Sequence, residues 1–242
     1  MKFTVNRPAF CEALKTVAAA AKSGSVTGIS GIYLYADASK RILELTGTDV
    51  ITSVVKRIRD ADISMSGEII LPPVVLEILR KTKEESITLE TDENGALGLS
   101  FGSARYLLVT RPVNEFPKSE LVFPTAYVSV SGLLPLLKHA AFAAETKGDK
   151  RELQGVTLRL TPGISTAEAM NQKRMASAVN RNAADGETEM KLHISAVNIL
   201  FSLLSADKTV YAGTADQRAV FVCGDTVFST VMMNKAGPDM NS

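Results

Sequence analysis

The sequence predicts an α+β protein made of two tandem domains, each carrying two helices packed on antiparallel sheet. Two observations predict this class. First, segments with the alternating pattern of strands outnumber segments with helical periodicity. Second, the order strand, helix, strands, helix, strands occurs twice. Residues 187–208 (ETEMKLHISAVNILFSLLSADK) repeat the strand-to-helix rhythm of residues 65–83 (MSGEIILPPVVLEILRKTK) about 120 residues later. A period of that length indicates two domains rather than the short units of a solenoid.

The first copy opens with a strand and an amphipathic helix. KFTV alternates, Pro8 suits the first turn of a helix, and the apolar residues after it recur at steps of three and four. A second helix is expected to start at Pro73. The remaining strands of this copy are predicted in ISGIYLYAD, RILELTGTD, VITSVVKRIRD, EIILP, ESITLETD, ALGLSFG and ARYLLVTRP.

The second copy repeats this order. Its helices are predicted in GLLPLLKHAAFAAE and SAVNILFSLLS. Its strands are predicted in YVSVS, LQGVTLRLTP, STAEAM, KRMASAVNR, EMKLHI, KTVYAGTAD, RAVFVCG and TVFSTVMMN. We therefore expect a first domain over residues 1–120 and a second over residues 126–242, with the junction between Pro117 and Pro124.

Composition narrows the class of protein. Hydrophobic residues make up 45% of the 242 residues, which is enough for a packed core. The net charge of +1 neither requires nor excludes nucleic acid, so any basic surface must come from the distribution of charge. Cys11 and Cys223 are expected to be buried free thiols. No apolar run approaches a membrane span and no signal peptide opens the chain, which predicts a soluble cytoplasmic protein.

The sequence shows no pattern typical of a catalytic or metal-binding site. There is no phosphate-binding glycine loop, the aspartates are scattered at turns, and the two histidines, His139 and His193, lie near apolar helix starts. Neither histidine has ligand-like spacing to a cysteine. The sequence therefore predicts a protein that is not an enzyme and has neither metal nor cofactor.

The order of several motifs resembles the β subunit of bacterial DNA polymerase III, the sliding clamp family. In the first half, four segments carry the resemblance: MKFTVNRPAF, LELTGTDV, GEIILPPVVLEILRKTK and SARYLLVTRPVNEFPK. In the second half, KRELQGVTLRL, EAMNQKRMASAVNR and AGPDM fall at corresponding places. The resemblance covers the whole chain and is stronger in residues 1–118 than after residue 126.

The resemblance implies a processivity factor. In the family, domains with sheets outside and helices inside close into a ring around duplex DNA and tether a replicative polymerase, and a clamp loader is a further partner. Family chains have three domains and this sequence has two, so a six-domain ring needs three chains. We therefore expect a homotrimer joined head to tail. Such a ring attracts phosphates without reading bases.

The resemblance also implies which cations face DNA. They are Lys22, Arg80, Lys81, Lys83, Lys147 and Lys150. The alternative is that these are solvated helix ends, where cations also favour the helix dipole. SAVNILFSLLS contains no lysine or arginine, and Ser202 stands where the family often has a basic residue. We therefore expect DNA attraction to come mainly from the first domain and from residues 147–151.

Two further surfaces follow from the resemblance. The second-domain half of the family's partner-peptide pocket would comprise Leu153, Met170, Gln172, Lys173, Arg174 and Met175. Only Leu153 and Arg174 match the family residue and Met175 is a conservative change, so a plain surface strand and turn is the alternative. Ile78, Tyr106 and Leu108 match positions on the edge of the first domain that closes the ring.

Two alternatives to a sliding clamp are compatible with the sequence. A clamp-derived module of two domains could bind a polymerase, a loader or a full clamp subunit without encircling DNA. An enzyme with an unrecognised site is a further alternative. The clamp resemblance implies a cytoplasmic protein of a bacterium, a phage or a plasmid replicon, with no membrane partner.

Overall fold

The computed structural model describes residues 1–21, 31–59, 61–92, 95–117, 122–181, 184–205 and 208–234. The chain divides into two compact units, Met1–Ser119 and Glu120–Ser242.

Unit 1 contains two helices and nine strands among its described residues. The elements are β1 (Lys2–Asn6), α1 (Arg7–Ala21), β2 (Ile32–Asp37), β3 (Ile42–Thr48), β4 (Thr52–Arg59), β5 (Asp62–Met65), β6 (Gly67–Leu71), α2 (Val74–Lys81), β7 (Ser86–Thr91), β8 (Leu97–Phe101) and β9 (Ala104–Leu108). The strands form two antiparallel sheets in the orders β5-β1-β7-β8-β9 and β4-β3-β2-β6. Each helix connects one sheet to the other, because α1 joins β1 to β2 and α2 joins β6 to β7.

Helix α1 buries its predicted apolar stripe, including Phe10, Leu14 and Val17, against β3 and β4. The contact is close at Gly47 of β3. A Cβ atom there would lie 2.0 Å from the carbonyl oxygen of Val17. The helix backbone therefore rests directly on the strand backbone, and only glycine permits this approach.

Unit 2 contains two helices and eight strands among its described residues. The elements are β10 (Val128–Val130), α3 (Leu133–Ala141), β11 (Gly155–Leu160), β12 (Ile164–Met170), β13 (Met175–Arg181), β14 (Thr188–His193), α4 (Ile194–Leu203), β15 (Val210–Ala215), β16 (Arg218–Cys223) and β17 (Thr226–Val231). Within this unit the sheets run β10-β15-β16-β17 and β13-β12-β11-β14.

Apart from β5, which has no counterpart among the described strands of unit 2, the two units share one topology. The orders β1-β7-β8-β9 and β4-β3-β2-β6 in unit 1 become β10-β15-β16-β17 and β13-β12-β11-β14 in unit 2. Helix α1 packs on β3 and β4, and α3 packs on the corresponding β12 and β13. The predicted α+β class, with tandem repeated domains and two helices packed on antiparallel sheet, is confirmed. The strands of each unit divide between two sheets, a partition set by long-range pairing.

Three local predictions differ from the structure. Strand β5 was not predicted, because Ile63 is the only buried residue among its four and the alternation is too short to detect. Helix α3 ends at Ala141, earlier than the predicted segment. Cys11 is buried as expected, but Cys223 is only half-buried, since it ends β16 at a turn. No helix among the described residues is long and apolar enough to cross a membrane.

Candidate nucleic-acid interface and partner surfaces

The end of helix α2 carries three of the predicted DNA-binding cations. The helix buries Val75 and Leu79 and turns Arg80 and Lys81 outward in its last turn, and Lys83 follows two residues later. All three cationic side chains are exposed, and none makes an ion pair or hydrogen bond with another described residue. This helix end therefore presents three positive charges to solvent.

Arg7, at the start of α1, lies against the same helix end. Its Nε donates to the carbonyl oxygen of Glu84 at 2.5 Å, and its Nη1 reaches the carbonyl oxygen of Leu79 at 3.4 Å. A cation here stabilises the negative end of the helix dipole. Arg7 thus bonds one carbonyl of the last turn of α2, in addition to the cations that Arg80 and Lys81 place at this helix end. Sequence reasoning missed Arg7, since its position in the first turn of a helix gave no sign of a distant partner.

Lys147 and Lys150 lie in the loop between α3 and β11, which we call the basic loop (residues 146–152). Both side chains are exposed. The loop is closed by a hydrogen bond from Glu145 N to Leu153 O at 2.9 Å, and a 3-10 turn over Arg151–Leu153 completes it. Gln154 Nε2 donates to Gly148 O at 2.8 Å across the loop. The chain thus holds both lysines on one short closed segment.

Gln154 also contacts the start of helix α4. His193 is the N-cap of this helix, and its Nδ1 accepts a hydrogen bond from Ser195 N at 3.2 Å. Ser195 Oγ lies 2.8 Å from the same Nδ1 atom, and His193 Nε2 lies 3.2 Å from Gln154 Oε1. Because Gly148 O can only accept from the Gln154 amide, the amide oxygen is the atom that faces His193, so Nε2 carries the ring proton. Burial lowers the pKa of His193, which keeps the imidazole neutral and able to cap the helix.

The exposed faces of the unit 2 helices differ in charge. Helix α4 turns Ser195, Asn198 and Ser202 to solvent and has no ionisable residue, as expected. Helix α3, in contrast, exposes Lys138 and His139. Lys138 was missed as a candidate, although its position off the apolar stripe of α3 was the available signal. Lys22, the remaining predicted DNA contact, lies outside the described residues.

Five of the six residues predicted for partner binding lie on one hairpin. Met170 ends β12 and Met175 begins β13, and the two are paired across the strands. Asn171 Oδ1 accepts hydrogen bonds from Lys173 N at 2.9 Å and Arg174 N at 3.0 Å, which fixes the turn. The turn residues Gln172, Lys173 and Arg174 are exposed. Leu153, the sixth, lies half-buried in the 3-10 turn before β11, at the same end of the sheet.

Phe142 adds an aromatic ring to this surface. It follows the last residue of α3, is 59% exposed, and lies with its ring centre 5.5 Å from the guanidinium carbon of Arg174. This distance permits a cation–π contact, which holds the arginine over the helix end. The sequence offered one signal for Phe142, namely an aromatic residue outside the apolar stripe of its helix.

The predicted ring-closing residues lie at two places in unit 1. Ile78 is half-buried on α2. Tyr106 and Leu108 lie on β9, an edge strand, opposite the buried Leu99 and Leu97. Tyr106 stacks on Phe101 with ring centres 5.6 Å apart.

The same segment exposes apolar residues that the sequence did not single out. Leu107, on the opposite face of β9, is 72% exposed, and Val109, just after the strand, is 90% exposed. In the described part of the chain, no group of three or more His, Cys, Asp or Glu residues could hold a metal ion.

Comparison with known sequences identifies the family. Residues 1–120 match the family model of the DNA polymerase III beta subunit, N-terminal domain. A beta sliding clamp from Synechococcus elongatus is 31% identical over 64% of this chain and 42% of its own length. One from Pseudomonas aeruginosa is 27% identical over 73% of this chain and 48% of its own length. The chain thus spans about half the length of these relatives.

Solved structures share the fold. A DNA polymerase sliding clamp from Bacillus subtilis matches with a TM-score of 0.91 at 19% identity, over 100% of this chain and 67% of that one. A DNA polymerase III beta subunit from Thermotoga maritima matches with a TM-score of 0.85 at 21% identity, over 98% of this chain and 66% of that one. The chain therefore belongs to the family of the DNA polymerase III beta subunit, with residues 1–120 corresponding to the N-terminal domain of that family.

Proposed function

We propose that this protein is a sliding clamp that encircles duplex DNA and tethers a replicative polymerase without catalysing a reaction itself. The observation that carries the proposal is the exposed cationic end of α2, where Arg80, Lys81 and Lys83 have no acidic partner among the described residues, on a fold shared with sliding clamps. Charges of this kind attract the phosphate backbone without reading bases. Lys147 and Lys150 add a second basic group in unit 2. A protein with this role works in the cytoplasm.

Two exposed edge strands support assembly of a ring from several copies of the chain. Strand β9 ends one sheet of unit 1, and β13 ends one sheet of unit 2. Exposed edges can extend a sheet by pairing with a strand of another molecule. A contact between β9 of one chain and β13 of the next is head to tail, so it can close into a ring. With two units in each chain, three chains give the six-unit ring that the family resemblance implies.

The side chains of the two edges complement each other in size. On the core face, β9 carries Tyr106 and Leu108, whereas β13 carries Ala176 and Ala178. Pairing β9 with β13 places large residues beside small ones. Pairing β9 with a second β9 instead sets large residues against each other and brings two copies of Arg105 together. The complementarity therefore favours the head-to-tail contact over a symmetric one.

The hairpin that carries Arg174 and Met175 is the proposed site for polymerase and clamp-loader segments. Phe142, Met175 and the half-buried Met170 give it apolar area, and Lys173 and Arg174 give it positive charge. A peptide that combines apolar and acidic side chains would match this chemistry.

Threading onto DNA tests the proposal without a loader. The protein is incubated with a linear duplex immobilised at one end, the free end is then blocked with a bulky protein, and the DNA is washed at high salt. A clamp is retained on the blocked duplex and lost from an identical duplex left open, because salt breaks phosphate contacts but not a topological link. Equal loss from both duplexes, with binding seen at low salt, would overturn the ring and favour a non-encircling interaction module.

A further inference from the structure

Gln154 connects two elements that are separate in sequence. On one side its Nε2 donates to Gly148 O at 2.8 Å, inside the basic loop. On the other side its Oε1 lies 3.2 Å from His193 Nε2, at the start of α4. Its backbone adds a third link, because Ile194 N donates to Gln154 O at 2.8 Å. One side chain thus ties the loop to the N-terminus of the helix.

From this geometry we infer that Gln154, oriented by His193, is a positioning residue that fixes the basic loop so that Lys147 and Lys150 are preorganised for DNA phosphates. The inference rests on the proposed function, because it names the residues that prepare that DNA contact. In this role Gln154 and His193 act through the basic loop and not by contacting DNA themselves.

The orientation of Gln154 is determined by Gly148 O. This carbonyl oxygen can only accept a hydrogen bond, so the amide NH₂ of Gln154 faces it and the amide oxygen faces His193 Nε2. The imidazole that matches this arrangement carries its proton on Nε2, and its Nδ1 accepts from Ser195 N at 3.2 Å and from Ser195 Oγ at 2.8 Å. A reversed amide would set two donors against each other at His193 and two acceptors against each other at Gly148. The hydrogen bond of Gln154 at the helix cap and its hydrogen bond in the loop are therefore compatible with only one orientation of the amide.

The charges around His193 leave this arrangement intact. The charged residues on the elements that touch it are Glu189 and Lys191 on its own strand, Arg151 and Glu152 on the 3-10 turn, and Arg159 on β11, which pairs with Glu189 at 3.2 Å. Helix α4 contributes none. Burial is what keeps the imidazole neutral, since desolvation is the cause of its lowered pKa.

The loop needs such a constraint. Gly148 has φ +141°, a conformation open to glycine, and the lysines on either side are exposed. Ordering long side chains on binding costs entropy, and a loop already held in place reduces that cost. Loss of the Gln154 contact should therefore weaken DNA binding even though every positive charge is kept.

The test is a double-mutant cycle on the full chain. Gln154→Met removes both hydrogen bonds at similar volume, and Lys147→Ala with Lys150→Ala removes the loop charges. Affinity for a short blunt duplex is measured by fluorescence anisotropy at low salt. We expect Gln154→Met to weaken binding about two- to tenfold in the wild-type background and not at all once both lysines are gone. Gln217→Met, at an exposed turn, is the matched control and should leave affinity unchanged.

An equal loss in both backgrounds, or no loss in either, would overturn the inference, because a general structural effect does not depend on the lysines. Amide hydrogen exchange without DNA separates this result from the proposed function. Gln154→Met should speed exchange at Arg151 and Leu153, whose amides donate to Asp149 O and Lys150 O within the loop. Unchanged exchange would refute the coupling whatever DNA does. Faster exchange in a protein that never binds duplex would refute the proposed function and leave only the structural link.

Discussion

Tyr106 and Leu99 lie directly opposite each other across β8 and β9, yet Leu99 is fully buried and Tyr106 keeps 40% of its surface exposed. The difference arises because β9 is the last strand of its sheet and nothing described in unit 1 covers its outer side. An aromatic residue on the core face of an open edge is the arrangement expected where a second molecule completes the sheet.

The first prediction concerns this edge. Tyr106→Arg should prevent assembly, because a cation would have to be buried beside Ala176 and Ala178 of the next chain without a partner charge. Sedimentation velocity measures the outcome. Tyr211→Arg is the matched control, since Tyr211 is 50% exposed on β15, an inner strand of its sheet. Identical sedimentation of the wild type and Tyr106→Arg would show that β9 does not form the contact.

The second prediction concerns the basic end of α2. Lys81→Gln should weaken binding to duplexes of any sequence to a similar degree and reduce the slope of log K against log salt by about 0.9, the value for one phosphate contact. Lys40→Gln is the control, because Lys40 is also an exposed lysine but lies in the β2–β3 turn beside Asp37. Equal slopes for Lys81→Gln and the wild type would mean that Lys81 contacts no phosphate.

The third prediction concerns pH. Burial lowers the pKa of His193 in the folded protein, whereas the unfolded chain keeps a value of about 6.5. Below about pH 6.5 the unfolded state binds more protons, so the free energy of unfolding should fall as pH drops towards the folded pKa. Asn is also an effective N-cap but does not titrate, so His193→Asn should lose less stability between pH 7.5 and 5.5.

Urea unfolding at the two pH values measures this difference. His139→Asn, on the exposed face of α3, is the control and should behave like the wild type. A His193→Asn variant that loses as much stability as the wild type would show that another group is responsible.

The fourth prediction concerns the contact between α1 and β3. Gly47→Ala should destabilise unit 1 by about 3 kcal/mol or more, because the new Cβ atom would lie 2.0 Å from a backbone oxygen that cannot move without shifting the helix. Gly98→Ala, also in a strand, meets the flexible Cγ of Glu90 at 3.3 Å and should cost much less. Chemical denaturation compares the two. Similar values for both variants would contradict the close packing seen here.

Local patterns predicted much of this fold. Helix α1 and strands β2 and β3 can be recognised from the sequence, because burial of one face makes apolar residues recur with the period of the helix or the strand. The division of each unit into two sheets depends instead on which distant strands pair, and no local pattern encodes that choice. Strand β5 escaped detection for a related reason, since it is defined by its pairing with β1 more than by burial.

The candidate sites show the same limit. Lys81 and Lys147 could be selected from a resemblance and from their place at a helix end or in a loop. Arg7 and Phe142 could not, because their roles come from partners more than 30 residues away, the carbonyl oxygen of Leu79 and the guanidinium of Arg174. Gln154 and His193 likewise become informative only when the two side chains are seen together.

The mass of the assembled protein tests the central claim most directly. The chain has a mass of 25.9 kDa, and a six-unit ring requires three chains. Light scattering on the purified full chain over a range of concentrations should give a species of three times the chain mass. That species should dissociate when Tyr106 is replaced by Arg. A mass that stays at one chain at the highest concentration would contradict a ring built by this protein alone.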